Sequence, residues 1–186
     1  MARVKYNVVT HGASGIVGDL LEFRQRYGKT IIAKIRAKSN KVSADQLAAR
    51  EKFRRAAAYG KAVIHDASKR AIYEPNAGGD ITPYILAVKD YFTPPVLVSI
   101  DTSAYTGLTG STIEVKATDD TKVASVAVRI FPAGGVLLEE GAAVYQQDRD
   151  VWTYIATASN SQLTGTLVVV EISDLPGNMV TGEVLL

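Results

Sequence analysis

From Val151 to Thr157 the chain alternates strictly. Trp152, Tyr154 and Ala156 point one way and Thr153, Ile155 and Thr157 the other, which is the two-residue period of a β-strand. Similar short runs recur at residues 96–100, 111–118, 123–131, 136–139, 165–172 and 179–185. Turn-forming clusters such as Pro132-Ala133-Gly134-Gly135 and Asp174-Leu175-Pro176-Gly177-Asn178 lie between them. Short strands at this spacing predict a β-sandwich over residues 94–186, with Trp152 in its core.

The first 93 residues follow other periods. Residues 4–9 predict a short strand, and residues 20–26 and 30–36 the arms of a hairpin turning at Tyr27-Gly28-Lys29, where glycine supplies a positive φ. Alternation then places Leu21, Phe23, Ile31, Ala33 and Ile35 on an apolar face, and Arg24, Arg26, Lys34 and Arg36 on a cationic one. Beyond a polar connector, Ser43 with Gln46 forms a capping box and Val42 with Leu47 a hydrophobic staple, so a helix starts there. Ala49, Phe53, Ala56, Gly60, Val63 and Ala67 follow at three-and-four spacing and predict one buried stripe, with Arg50, Lys52, Arg54, Arg55 and Lys61 on the remaining surface. Asp66 offers a second cap, and Thr82-Pro83 starts a further helix that Thr93-Pro94-Pro95 ends. The expected fold is α+β: a hairpin-plus-helix domain over 1–93 and an all-β domain over 94–186.

Charge sharpens that division. Residues 1–93 carry 17 Lys+Arg against 8 Asp+Glu, a net of +9, and residues 94–186 carry 4 against 11, a net of −7. Such asymmetry predicts either a polyanion-binding half or two surfaces that meet within or between molecules. There are no cysteines, which excludes disulfides, thiolate metal sites and a cysteine nucleophile. No stretch has the length and apolarity of a signal peptide or a membrane span, so the expectation is cytoplasmic synthesis without a membrane segment.

Candidate chemistry is sparse. Gly12-x-x-Gly15-x-x-Gly18 after a strand has the spacing of a dinucleotide turn, but the run of βαβ units that such a site needs does not follow. Gly28-Lys29-Thr30 matches the end of a phosphate-binding loop whose leading glycine is replaced by Phe23. His11 and His65 fall in different elements and form no metal pair. Asp119, Asp120, Asp174 and Asn178 could offer oxygens to calcium, although turn chemistry explains each of them. No cofactor, metal site or catalytic set is expected.

The series Pro94-Pro95, Ala117-Thr118-Asp119-Asp120, Val123-x-x-Val126-x-Val128, Leu138-Glu139-Glu140-Gly141, Trp152-Thr153-Tyr154 and Asp174-Leu175-Pro176-Gly177-Asn178 resembles bacterial immunoglobulin-like repeats. Ser14-Gly15-x-Val17-Gly18, the Gly28-Lys29 hairpin and Gln46-Leu47-x-x-Arg50-x-x-Phe53 resemble an uncharacterised bacterial family, often prophage-encoded. The resemblance implies an immunoglobulin-like sandwich without the paired cysteines. It also implies a structural or protein-interaction role, in a phage-like particle or another assembly. Phe23, Ile35, Arg24, Arg26, Lys34, Arg36, Arg50 and Arg54 are the expected interaction residues. The alternatives are nucleic-acid binding through the basic half and, more weakly, a dinucleotide-binding enzyme.

Overall fold

A computed structural model of the chain describes residues 2–4, 10–35 and 42–186, the first three through their backbone. Two compact units emerge, Met1–Glu51 and Lys52–Leu186. In the first, β1 (Ala2–Val4), β2 (Gly15–Val17), β3 (Leu21–Arg26) and β4 (Lys29–Lys34) form an antiparallel sheet in the order β1-β4-β3-β2. The expected strand over 4–9 lies, after Val4, outside the described residues, as does Arg36.

The hairpin forms with a register one residue away from expectation. Its loop is Tyr27-Gly28, both at positive φ (50° and 69°), the pattern of a two-residue type I′ turn, and Lys29 already pairs with Arg26. Phe23 therefore lies opposite Ile32 and Arg24 opposite Ile31. A slip of one residue exchanges the faces of a whole strand. Leu21 and Phe23 share their face with Ile32 and Lys34, whereas Arg24 and Arg26 share theirs with Lys29, Ile31 and Ala33. Ile35, whose amide donates to the Leu20 carbonyl at 3.0 Å, continues the second set and not the first. The assignment of Ile31, Ala33 and Ile35 to the apolar face, and of Lys34 to the cationic one, is thus corrected.

Helix α1 (Ala44–His65) begins where its capping box predicts. The Ser43 amide donates to Gln46 Oε1 at 3.3 Å and the Gln46 amide to Ser43 Oγ at 3.2 Å. The expected stripe is buried only in its second half, at Ala56, Gly60 and Val63; Ala49 and Phe53 are exposed. Ala67 belongs to the next helix, because Asp66 ends the first and caps α2 (Ala67–Tyr73) by accepting from the Ser68 and Lys69 amides. A single 3-10 turn (Glu74–Asn76) follows, then α3 (Pro83–Asp90), capped by Thr82 with Pro83 at its first position. Thr93-Pro94-Pro95 separates these helices from the strands and lies inside the second unit.

The remaining strands are β5 (Val96–Asp101), β6 (Thr112–Thr118), β7 (Val123–Phe131), β8 (Glu139–Ala142), β9 (Val144–Gln146), β10 (Val151–Ile155), β11 (Leu167–Asp174) and β12 (Met179–Leu185). They make two antiparallel sheets, β5-β6-β10-β9 and β12-β11-β7-β8. This is the strand order of the immunoglobulin sandwich, with β8 added beside the third strand. The strand expected at 136–139 is displaced: Val136 and Leu137 are exposed loop residues, and pairing starts at Glu139. The chain pairs with β7 to Ala142 and with β10 from Val144, changing sheets at buried Ala143. Gly141 is needed there, since a Cβ would stand 2.8 Å from the Tyr154 ring. The core joins Ile113 and Val115 of one sheet to Val126, Val128, Ile130, Val168, Val170 and Ile172 of the other, all fully buried. Each such side chain contributes about 1.5–3 kcal/mol by leaving water.

Candidate interaction surfaces

In the N-terminal sheet, Thr30 is the only buried side chain among the described residues, while Ile16, Val17, Leu20 and Leu21 are exposed. Gln25 Nε2 donates to Thr30 Oγ1 and to the Ala13 carbonyl, both at 2.8 Å, which ties the Thr10–Ser14 turn to the sheet. Phe23 is half-buried opposite Ile32 and Ile35 half-buried beyond the strand end, so the structure places these two predicted residues on different faces. Arg24 is paired with Glu22, which holds that carboxyl below the usual range, and Arg26 stacks 5.3 Å from the centre of the Tyr27 ring. Lys34 is exposed, as are Arg50 and Arg54 on α1. Arg24, Arg26 and Lys29 make one cationic strip, which Lys34 does not join.

Gly12, Gly15 and Gly18 all take positive φ, yet no helix follows them: Gly15 opens β2 and the chain turns into β3. A pyrophosphate at a helix N-terminus has no counterpart in this arrangement.

The loop carboxylates bind their own turns. Asp174 Oδ1 accepts from the amides of Gly177 (2.8 Å) and Asn178 (2.6 Å), and its Oδ2 accepts from Asn178 Nδ2 at 2.7 Å. Asp119 Oδ2 accepts from the Thr121 and Lys122 amides, and Asp120 pairs with Lys89 at 2.8 Å. Among the described residues no group of three His, Cys, Asp or Glu could hold a metal ion.

Sequence reasoning missed the polar cluster where the helices of the second unit meet these turns. Tyr73 donates to Asp90 Oδ2 at 2.6 Å and lies 2.9 Å from Tyr59 Oη. Because the Tyr73 proton is committed to Asp90, Tyr59 is the donor in the second bond. Asp90 is fully buried, and its Oδ1 has no partner. Burial pushes the Asp90 carboxyl up to about 6 against the opposing hydrogen bonds from Tyr73 and, more weakly, the Thr121 side chain, and the charges of Asp119 and Asp174 push it the same way as burial. Ala87 and Asp90, three apart in α3 and both buried, were the available signal, but only their neighbours in space identify it.

A cleft of about 550 Å³ opens at one end of the sandwich against Ala117, Val123, Tyr145 and Trp152. The two aromatic rings are 5.3 Å apart, and Tyr145 donates to Asp150 at 2.7 Å, so the polar tip of that ring is already engaged.

No family model matches the chain, and no curated protein is significantly similar to it. Among solved structures, CopC from Methylosinus trichosporium OB3b is similar at 22% identity over 48% of this chain and 87% of that one, with a TM-score of 0.35. An engineered protein is similar at 18% identity over 55% of this chain and 26% of its own, with a TM-score of 0.32. The fold rests on strand order, not on these likenesses. Among the described residues no helix is long and apolar enough to cross a membrane.

Proposed function

We propose that the chain is a non-catalytic structural or protein-interaction component that self-associates, or joins a larger assembly, through its N-terminal sheet. The observation that carries this reading is the exposure of apolar side chains on and beside the N-terminal sheet. Thr30 is its only buried side chain among the described residues, and Ile16, Val17, Leu20 and Leu21 are exposed apolar surface that a partner would cover. The +9 and −7 halves supply complementary potentials that steer and register copies, while single exposed pairs add little energy. A prophage-related bacterial immunoglobulin-like assembly protein is the finer form of the proposal. The cationic strip of Arg24, Arg26 and Lys29 supports the alternative partner, a nucleic acid.

Light scattering behind a sizing column tests the proposal. The expected result is an oligomer at micromolar concentration that Phe23→Asp with Ile32→Asp, two residues on one face, converts to monomer. Elution from a DNA column should then need little salt. A strict monomer at high micromolar concentration, indifferent to the double substitution, overturns the assembly reading. Retention on DNA that falls steeply with salt puts the nucleic-acid reading in its place.

A further inference from the structure

Helix α3 ends on an aspartate, at the terminus where the helix dipole is negative and favours cations. That aspartate, Asp90, is fully buried, with Oδ2 held by Tyr73 at 2.6 Å and Oδ1 without a partner. A bare carboxylate oxygen taken out of water is among the costlier things a fold can contain. The site is also where the helices meet the sandwich. Asn178 Nδ2, in the β11–β12 turn, donates to the Asp90 carbonyl at 3.3 Å, and Leu175 of the same turn packs on Val63, Tyr73 and Ala87. A crevice of about 220 Å³ lies alongside, walled by Tyr73, Leu86, Lys89, Asp90, Asp120 and Thr121.

We propose that Asp90 is a proton-operated latch between α3 and the sandwich turns that carry Asp119 and Asp174. Protonated, it seats the helix on the turns; ionised, it loosens that contact.

The charged and titratable groups around it argue for this sense. From α1 and α2 come the phenols of Tyr59 and Tyr73, both neutral, and burial pushes both up. The β6–β7 turn brings Asp119, whose Oδ1 is likewise buried without a partner, and Asp120. The end of β11 brings Asp174. Lys89 lines the same crevice, and its ammonium is committed to Asp120 at 2.8 Å. Asp90 therefore faces two carboxylates, while Lys89, which also feels the charge of Asp90, is held by Asp120, so a proton is the means of neutralising it that the site provides. A carboxyl near 3.8 when exposed and near 6 when docked makes opening of the contact about tenfold more favourable at pH 7.5 than at pH 5.

Hydrogen exchange of the full chain, corrected for intrinsic rates, reads this directly in α3 and in the turns at residues 119–122 and 174–178. The expected result is about tenfold less protection at pH 7.5 than at pH 5 in the wild type and no pH difference in Asp90→Asn, whose side-chain oxygen can still accept from Tyr73 and which carries no titrating charge. Protection that is the same at both pH values in the wild type, or a pH difference that persists in Asp90→Asn, overturns the latch. If Asp90→Asn fails to fold, a carbon-13 NMR titration of the wild-type Asp90 carboxyl decides: a midpoint near 6 supports the latch and one below 4.5 overturns it.

Discussion

Glu139 Oε2 lies 2.7 Å from both the amide nitrogen and the hydroxyl oxygen of Thr157. Glu139 opens β8 in one sheet and Thr157 follows β10 in the other, so this contact staples the two sheets together. Tyr154 Oη (3.0 Å) and the Ala158 amide (3.1 Å) donate to the same oxygen. Burial pushes the Glu139 carboxyl up, but the four donors together outweigh it and leave the group below its ordinary value. A depressed carboxyl contributes stability that is present above its unfolded value of 4.5 and is lost as pH falls through the folded one. Glu139→Ala should therefore cost about 2–4 kcal/mol at neutral pH, by leaving several donors unpaired, and should flatten acid unfolding below about pH 4.5. Urea titrations at pH 7 and pH 3.5 check it. An equal loss at both pH values would show that packing, and not the ionised carboxylate, is what Glu139 contributes. The sign is opposite to that of Asp90, whose raised value makes stability fall as pH rises.

What was legible in the sequence was local. The start of α1 was readable because both halves of its signal, Ser43 and Gln46, lie three residues apart, and Thr82-Pro83 marked α3 in the same way. The alternation of β11, with Val168, Val170 and Ile172 buried, likewise needs no partner to be seen. The hairpin register escaped because a two-residue and a three-residue turn around Gly28 differ by one position, and Tyr27 at φ 50° is an unusual first residue for the tighter one. The change of sheets at Ala143 and the burial of Asp90 escaped because they depend on distant chain. The Asn178 side chain that meets Asp90 lies 88 residues away. Facing was not legible in composition: Phe23 and Ile35, expected on one apolar face, are both half-buried and lie on opposite faces.

The same turn yields a prediction. Gly28 sits at φ 69°, where a Cβ costs about 1–2 kcal/mol. Nothing lies within 4 Å of the place a Cβ would take, so backbone strain is the sole penalty. Gly28→Ala should destabilise the hairpin by that amount and Gly28→Asn by less, since Asn tolerates the left-handed region. Amide protection across residues 24–31 measures both; equal effects would argue against the two-residue turn.

Trp152 packs against the core yet is only partly buried, with Tyr145 beside it and the cleft in front. Full burial would make Trp152→Ala cost about 3–5 kcal/mol, so partial burial predicts roughly 2–3. Iodide should quench its fluorescence partially. Complete shielding, or quenching like that of a free indole, would contradict the position at the mouth of the cleft.

Gly60 sets two effects of similar size against each other. In the middle of α1, Ala is preferred to Gly by about 1 kcal/mol. A Cβ at Gly60, however, would stand 2.9 Å from Tyr84 Cε2 and 2.9 Å from Val88 Cγ2, both on α3. The Tyr84 ring is half-buried and can swing aside, whereas Val88 is branched at Cβ and yields only if α3 moves. Overpacking of this kind costs about 1–3 kcal/mol, so Gly60→Ala should be net destabilising by up to about 2 kcal/mol, a fall in Tm of several degrees. Val88→Ala in the same chain removes the obstacle and leaves the helix preference, so the double variant should be less destabilised than the sum of the two single ones. A Tm raised by Gly60→Ala alone would mean that α1 and α3 pack less closely than a glycine-mediated crossing requires.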